Sequence, residues 1–337
     1  MSIATGIGKF RPLDPNGQNC PTEFLLFNFD IGSSKLKRPH ETFLKQGVLS
    51  ILGANEDHKV KLVGRASRSG PDSLNLKLSR QRAEAVAAFL TRAGIARSRI
   101  QLDFLGESNP FSTANESEED RSVEIHLEIS PTLTIELEGG TMVRPFSVMV
   151  ETIREAFDPI ASQAGRKLRI HLGRGIAAGG ADLTLHFDRG GREMRPCAGI
   201  LILGNEGGGD IFVGAHESLR VCSGHIQSVD DPSDIDHDSQ FENVFENGEP
   251  EFARFVGNTC VHELAHIIAQ IAHTDDPDNF MFSVGSLGGN LPQDRRTRES
   301  MRLRWGGRKT FNSAQIKKMV CAMHTGYFSG GMKISTP

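Results

Sequence analysis

The stretch VHELAHIIAQIAHTDDPDNFMF, residues 261–282, constrains the fold of this chain more than any other. Around it Phe252, Phe255, Val256, Cys260, Leu264, Ile267, Ile268 and Ile271 fall on one stripe at about 100° per residue, the pattern of an amphipathic helix. His262 and His266 lie off that stripe, one turn apart and roughly 40° from each other on the wheel. Two imidazoles so placed reach a single ion, whereas core histidines would fall inside the stripe. Glu263 stands beside them, where a carboxylate can take a proton from water at a metal. His273 follows. On a straight helix its ring would sit about 10 Å farther along the axis than that of His266. Three nitrogens cannot then share one ion at about 2 Å. The helix must therefore break between His266 and His273. The turn is expected near Ala269 to Ala272, with one non-glycine residue at positive φ, a strain tolerated at functional sites.

The length of 337 residues allows two domains, each with its own core. With 38% apolar and 24% charged residues the composition is that of an ordinary globular protein. The net charge of −4 and the lack of a Lys/Arg run argue against nucleic acid as a partner. No apolar stretch approaches the roughly 18 residues of a membrane span. The opening MSIATGIGKFRPLDP has no apolar core, so no signal peptide is expected. None of the five cysteines sits in a C-x-x-C pair, against a cysteine zinc site. Cys197, Cys222, Cys260 and Cys321 could form two disulfides in an oxidising compartment, or remain buried thiols.

Residues 20–130 alternate strand and helix. FLLFNF, KVKLVG, RIQLDFLG and RSVEIHLEI have strand patterns. RPHETFLKQGVLSIL has helical periodicity, and SRQRAEAVAAFLTRAGI predicts a helix capped by Ser79 and stopped by Gly94. The βαβαββ order implies one layer of helices on a mixed sheet. The blocks FNFDIGSSKLK, GRASRSGPDSLNLKLSRQRAEAVAAFL, GESNP and DRSVEI resemble the OmpA-like peptidoglycan-associated domain, in the family's order and over roughly residues 22 to 128. In that family an Asp and an Arg hold the amine and carboxylate of diaminopimelate in the wall peptide. The resemblance puts the Arg at Arg82 and the Asp at Ser67. A neutral hydroxyl cannot give the charge-assisted pairing of a carboxylate. The resemblance therefore implies wall binding through Arg82 that is weakened or retargeted at Ser67, or a retained fold in which Arg82 is a solvated helix residue.

From residue 131 to 337 the pattern changes. SVMVETIREAFDPIASQAG predicts an amphipathic helix, and KLRIHLG, ADLTLHFD, GILILG and GDIFVGAH predict strands. The acidic run DDPSDIDHDSQFENVFENGEP lacks the Gly and Glu of an EF-hand and is expected to be a solvated loop. SAQIKKMVCAMH predicts a closing helix capped by Thr310 or Asn312, with Ile316, Met319 and Val320 toward the core. HELAHIIAQIAHTDDPDNFMF resembles the metzincin clan of zinc endopeptidases, whose H-E-x-x-H-x-x-G-x-x-H is followed by a Met-turn. The match makes His262, His266 and His273 the ligands of Zn2+, Glu263 the general base and Met281 the Met-turn residue. Two departures stand out: the strict third-ligand position is Ala272, and the clan's Gly corresponds to Ala269. Asp275 or Asp276 could take the third place, or a downstream Glu such as Glu299. Tyr327, the one tyrosine, is expected to be structural.

The whole is thus expected to be α+β: an OmpA-like domain followed by a metzincin-like α/β zinc-peptidase domain with an active-site helix and a Met-turn. The expected function is a zinc endopeptidase tethered to cell wall or a partner in the bacterial envelope, with a protein or wall peptide as substrate. The competing reading is a peptidoglycan-binding or scaffolding protein with a structural or degenerate zinc site. Export by a signal-independent route, a contractile injection system included, would reconcile both domains with the opening residues.

Overall fold

The computed structural model describes residues 10–12, 20–108, 110–173, 181–188, 208–213, 220–222, 225–227, 241–243, 245–282, 302 and 305–328. The chain divides into two compact units after Ser130, with Thr325–Tyr327 belonging to the first.

In the first unit β1 (Phe10–Pro12), β2 (Glu23–Phe27), β3 (Lys59–Gly64), β4 (Ile100–Phe104) and β5 (Ser122–Glu128) form one mixed sheet in the order β1-β2-β5-β3-β4. Only β3 and β4 run parallel, with Leu62 opposite Leu102. Helices α1 (Arg38–Phe43) and α2 (Leu49–Ala54), joined by a π-helical turn at Leu44–Val48, pack with α3 (Asp72–Arg92) on this sheet. Their shared core is Phe43, Leu44, Val48 and Leu52 against Val86, Leu90, Leu62 and Ile125. This is the expected βαβαββ order with β1 added ahead of it.

Helix α3 starts eight residues earlier than a cap at Ser79 would allow, since it spans Asp72–Arg92. Pro71 stands extended at the cap position and Asp72 places a carboxylate in the first turn, where the helix dipole favours it. Leu74 and Leu76 in that turn are exposed, so no apolar stripe announces it. Ser79 is instead a buried mid-helix residue, donating to the Leu76 carbonyl at 2.8 Å and accepting from the Gly106 amide at 3.1 Å. A Cβ on Gly64 would lie 1.9 Å from the Ser79 carbonyl oxygen, so only glycine lets α3 lie this close to β3.

In the second unit β6 (Thr132–Glu138), β7 (Lys167–Leu172), β8 (Leu183–Asp188) and β9 (Gly208–Phe212) form a parallel sheet in the order β7-β6-β8-β9. Among the described residues β9, which holds Gly209–Phe212 of the GDIFVGAH segment, is thus an edge. Strands β10 (Arg220–Cys222), β11 (His225–Gln227) and β12 (Phe241–Asn243) form a separate antiparallel sheet. Helices α4 (Phe146–Gln163), α5 (Pro250–Ala269) and α6 (Ser313–Thr325) complete it. α4 and α5 meet at Gly257, where a Cβ would lie 2.8 Å from that of Thr152.

A buried pair ties this unit together. Arg166 Nη2 reaches Asp182 Oδ1 at 2.8 Å and the Thr132 carbonyl at 2.6 Å, while Asp182 Oδ2 accepts from the Thr134 amide at 2.8 Å. Fully bonded in this way, the two charges tolerate burial that an unpaired one would not. Asn312 caps α6 in a reciprocal box with Gln315: each amide donates to the other's side chain, at 2.9 and 3.0 Å. Cys20 and Cys321 are each in a disulfide, whereas Cys260 is a buried free thiol. The second-half cysteines therefore do not all pair with one another. Cys197, the Cys222 side chain, GILILG, Glu299 and most of the acidic run lie outside the described residues. No helix among the described residues is long and apolar enough to cross a membrane.

Candidate metal centre and the Arg82 pocket

Pro250 opens α5 and Glu251 sits in its first turn, both favourable at a helix N-terminus. Every residue of the apolar stripe from Phe252 to Ile271 is buried. His262 and His266 are half-buried. The helix stops at Ala269, and Gln270 adopts the left-handed conformation with φ 47° and ψ 49°. Its amide bonds the His266 carbonyl at 2.9 Å, closing the last turn. The delay of one residue at His273 is absorbed in this reversal.

The chain then folds over itself. The Thr274 amide bonds the Met281 carbonyl at 3.0 Å, and the Asn279 amide bonds the Asp276 carbonyl at 3.1 Å. The reversal brings His273 back, so that its Nε2 lies 3.2 Å from that of His262 and 3.0 Å from that of His266. Nε2 of His262 and of His266 are 3.1 Å apart. Among the described residues these three side chains alone form a group able to share a metal ion. Asp275 and Asp276, the alternative third ligands, are exposed and stand outside the group.

Mutual hydrogen bonding cannot satisfy all three of these contacts at once. A neutral imidazole carries one N–H, and that of His262 is directed at the Phe280 carbonyl, 2.8 Å from Nδ1. Its Nε2 therefore presents a lone pair to the other rings. Burial above all lowers the pKa of His262 and of His266 to about 4, helped by the neighbouring imidazoles, so the rings are neutral and able to act as ligands. Beside them Glu263 is 5% exposed, and its Oε2 has no hydrogen-bond partner among the described residues. Burial raises its pKa to about 7. Met281 is fully buried.

The supports of this centre were invisible in the sequence. The Phe280 carbonyl is fixed because the Phe280 amide bonds Thr310 at 3.1 Å and the Asn279 side chain accepts from the Met281 amide at 2.9 Å. Asn279 in turn donates to Gln315 of α6 at 2.9 Å. Thus the α6 cap also braces the loop that orients His262.

The first unit holds a second candidate site, and it corrects one expectation. Arg82 is neither solvated nor open to a ligand but 0% exposed. Its guanidinium donates to the carbonyls of Ser33 at 3.0 Å, Arg65 at 2.8 Å and Asp30 at 3.1 Å. Burial, then the nearby Arg121, lower its pKa to about 10. Arg82 thus pins the loop after β2 and the end of β3 to α3. Ser67 is also buried, and its hydroxyl donates to Glu116 Oε2 at 3.0 Å. Tyr327 packs on the core of this unit, consistent with a structural role.

The first unit, a mixed sheet covered by helices, is an OmpA-like α/β domain. Accordingly, residues 28–124 match the sequence model of the OmpA family. The probable lipoprotein YiaD of Escherichia coli is 35% identical over 126 residues, covering 36% of this chain and 56% of that protein. Outer membrane protein A of Shimwellia blattae is 35% identical over 89 residues, 26% of this chain and 36% of its own length. The chain thus spans little more than half of the first relative and about a third of the second. The crystal structure of the peptidoglycan-associated lipoprotein from Burkholderia pseudomallei is similar at 21% identity, over 34% of this chain and 98% of that one, with a TM-score of 0.30.

Proposed function

We propose that this chain is an anchoring protein of the bacterial cell envelope whose second unit is a zinc-dependent, metzincin-like peptidase. Anchoring to peptidoglycan is supported by the OmpA family match of residues 28–124. The peptidase rests on one observation above the rest: three imidazole Nε2 atoms converge within 3.2 Å of one another beside a buried carboxylate with an unpartnered oxygen. The spacing suits zinc, since tetrahedral bonds of about 2.0–2.1 Å separate ligand nitrogens by about 3.3 Å. Three protein donors is also the number typical of catalytic zinc sites.

His262, His266 and His273 would hold the ion, which supplies Lewis acidity to acidify water and polarise a peptide carbonyl. Glu263 takes the proton of the attacking water and delivers it to the leaving amine as the C–N bond breaks. The Phe280 carbonyl keeps His262 in the tautomer that points Nε2 at the centre. Substrates are a protein or the peptide cross-links of the wall.

The test is hydrolysis of casein and of purified wall peptides by the full chain, with and without a chelator. Glu263→Gln is expected to lower turnover by about 10²-fold or more while leaving zinc content unchanged. A second reading, an envelope anchor whose metal site is structural, is favoured by the family match lying wholly in the first unit. Metal-loaded protein with no turnover on either substrate would establish that reading instead.

A further inference from the structure

The chain leaves the first unit at Ser130, builds the second, and comes back. At the end of α6 the residues Thr325–Tyr327 belong to the first unit again, and from Phe328 the chain rejoins the second. Thr325 and Gly326 are buried and Tyr327 is half-buried. Tyr327 packs on the apolar core of the first unit, as Ile129 and Phe89 do, whereas Phe328, one residue on, packs on the core of the second.

The seat of this segment is the end of the sheet where β3 begins and β5 ends. Lys59 and Glu128 are the last pair of that ladder, and the residues just beyond them, His58 and Ile129, flank Gly326. A Cβ on Gly326 would lie 3.1 Å from His58 Nε2 and 3.3 Å from the Ile129 side chain. With φ at 65°, Gly326 also holds a left-handed conformation that a side chain disfavours. His58 is 0% exposed and is itself fixed: Nδ1 accepts from the Ser130 amide at 3.0 Å, and its carbonyl accepts from Arg99 Nε at 2.7 Å. The Tyr327 amide donates to Thr325 Oγ1 at 3.3 Å, which closes the turn. The segment therefore sits in a formed seat between two fixed residues.

We infer that Thr325–Tyr327 is a strap that completes the first unit, so that this unit reaches full stability only in a chain that carries the second unit through to residue 327. The first unit is otherwise drawn from residues 1–130, and its folding is finished by a segment synthesised after the second unit. A chain cut short within the second unit carries a weakened first unit, because backbone that is buried here is lost. The inference goes beyond the anchoring and peptidase readings and holds whether or not either activity is present.

The experiment is amide hydrogen exchange on the full chain, read by mass spectrometry on peptides from β3 and β5 and from β6 and β8. Wild type is compared with Tyr327→Ala and Tyr327→Phe. Tyr327→Ala removes the ring and is expected to speed exchange of β3 and β5 by about tenfold or more, with β6 and β8 unchanged. Tyr327→Phe keeps the ring and should exchange as wild type does. A folded Tyr327→Ala protein whose β3 and β5 exchange at the wild-type rate overturns the inference. So does acceleration confined to β6 and β8, or equal in both units. If Tyr327→Ala does not fold, fluorotyrosine at this one tyrosine decides in the wild-type chain. Its native fluorine resonance is expected to vanish together with the protection of β3 and β5 as urea is raised. Loss of that resonance while β3 and β5 stay fully protected overturns the inference.

Discussion

Nδ1 of His262 lies 2.8 Å from the carbonyl oxygen of Phe280, eighteen residues downstream. This contact fixes which nitrogen of the ring faces His266 and His273. It depends in turn on Asn279, whose side chain holds the Met281 amide at 2.9 Å and Gln315 at 2.9 Å. Metal ligands whose outer partners are removed commonly lose 10–100-fold in affinity. Asn279→Ala is therefore expected to weaken zinc binding by about 10–100-fold, measured by competition with a chromophoric chelator. Asn279→Asp keeps the acceptor for Met281 and should recover much of that loss. Unchanged affinity in Asn279→Ala would remove the bracing role of this loop.

Arg82 is expected to act on the fold, not on a ligand. Lysine at this position cannot satisfy three carbonyls in the planar geometry of a guanidinium. With at least one buried acceptor left unpaired, Arg82→Lys should cost about 2–4 kcal/mol, read as a lower urea midpoint. A variant of unchanged stability that no longer co-sediments with sacculi would instead mean that Arg82 grips the ligand.

The first unit should also carry a pH signature. Chiefly its hydrogen bond to Glu124, against the opposing effect of burial and with help from Glu23, raises the pKa of His126 above the usual 6.5. The folded protein thus holds this proton more tightly than the unfolded chain. The resulting stabilisation is complete below the unfolded value and is lost as pH rises through the raised folded value. Glu124 does not offset this. Burial alone would raise its pKa, but hydrogen bonds from His126 and Arg65 outweigh it and the pKa is lowered, so its contribution disappears only at the acid end. The melting temperature of wild type should therefore decline as pH rises above about 6.5, and His126→Gln should flatten that decline. Parallel curves for the two proteins would contradict it.

These sites were unequally legible in the sequence. The break after His266 could be foreseen because ligand geometry demands it: a helix continued to His273 would have carried that ring out of reach. Even the positive φ was implied, and Gln270 adopts it. The stripe from Phe252 to Ile271 was equally plain, because burial on one helical face writes itself as a period. The fate of Arg82 was not. In SRQRAEA it stands among polar residues, and only the approach of α3 to β3 at Gly64 shows that it is internal. Glu116 was hidden for the opposite reason, since STANESEED has the composition of a solvated loop. Its partner Ser67 is joined to it by tertiary structure alone. The first turn of α3 escaped because Leu74 and Leu76 face solvent while the residue it buries, Asn75, is polar, so no apolar pattern marks it.

Zinc stoichiometry of the purified full chain, loaded and dialysed, compared between wild type and His273→Ala, bears most directly on the central claim. One ion shared by three imidazoles predicts about one zinc per chain in wild type, with affinity falling by at least about tenfold when His273 is replaced. Wild-type protein that retains no zinc, or His273→Ala protein that binds it as tightly as wild type, would contradict the account.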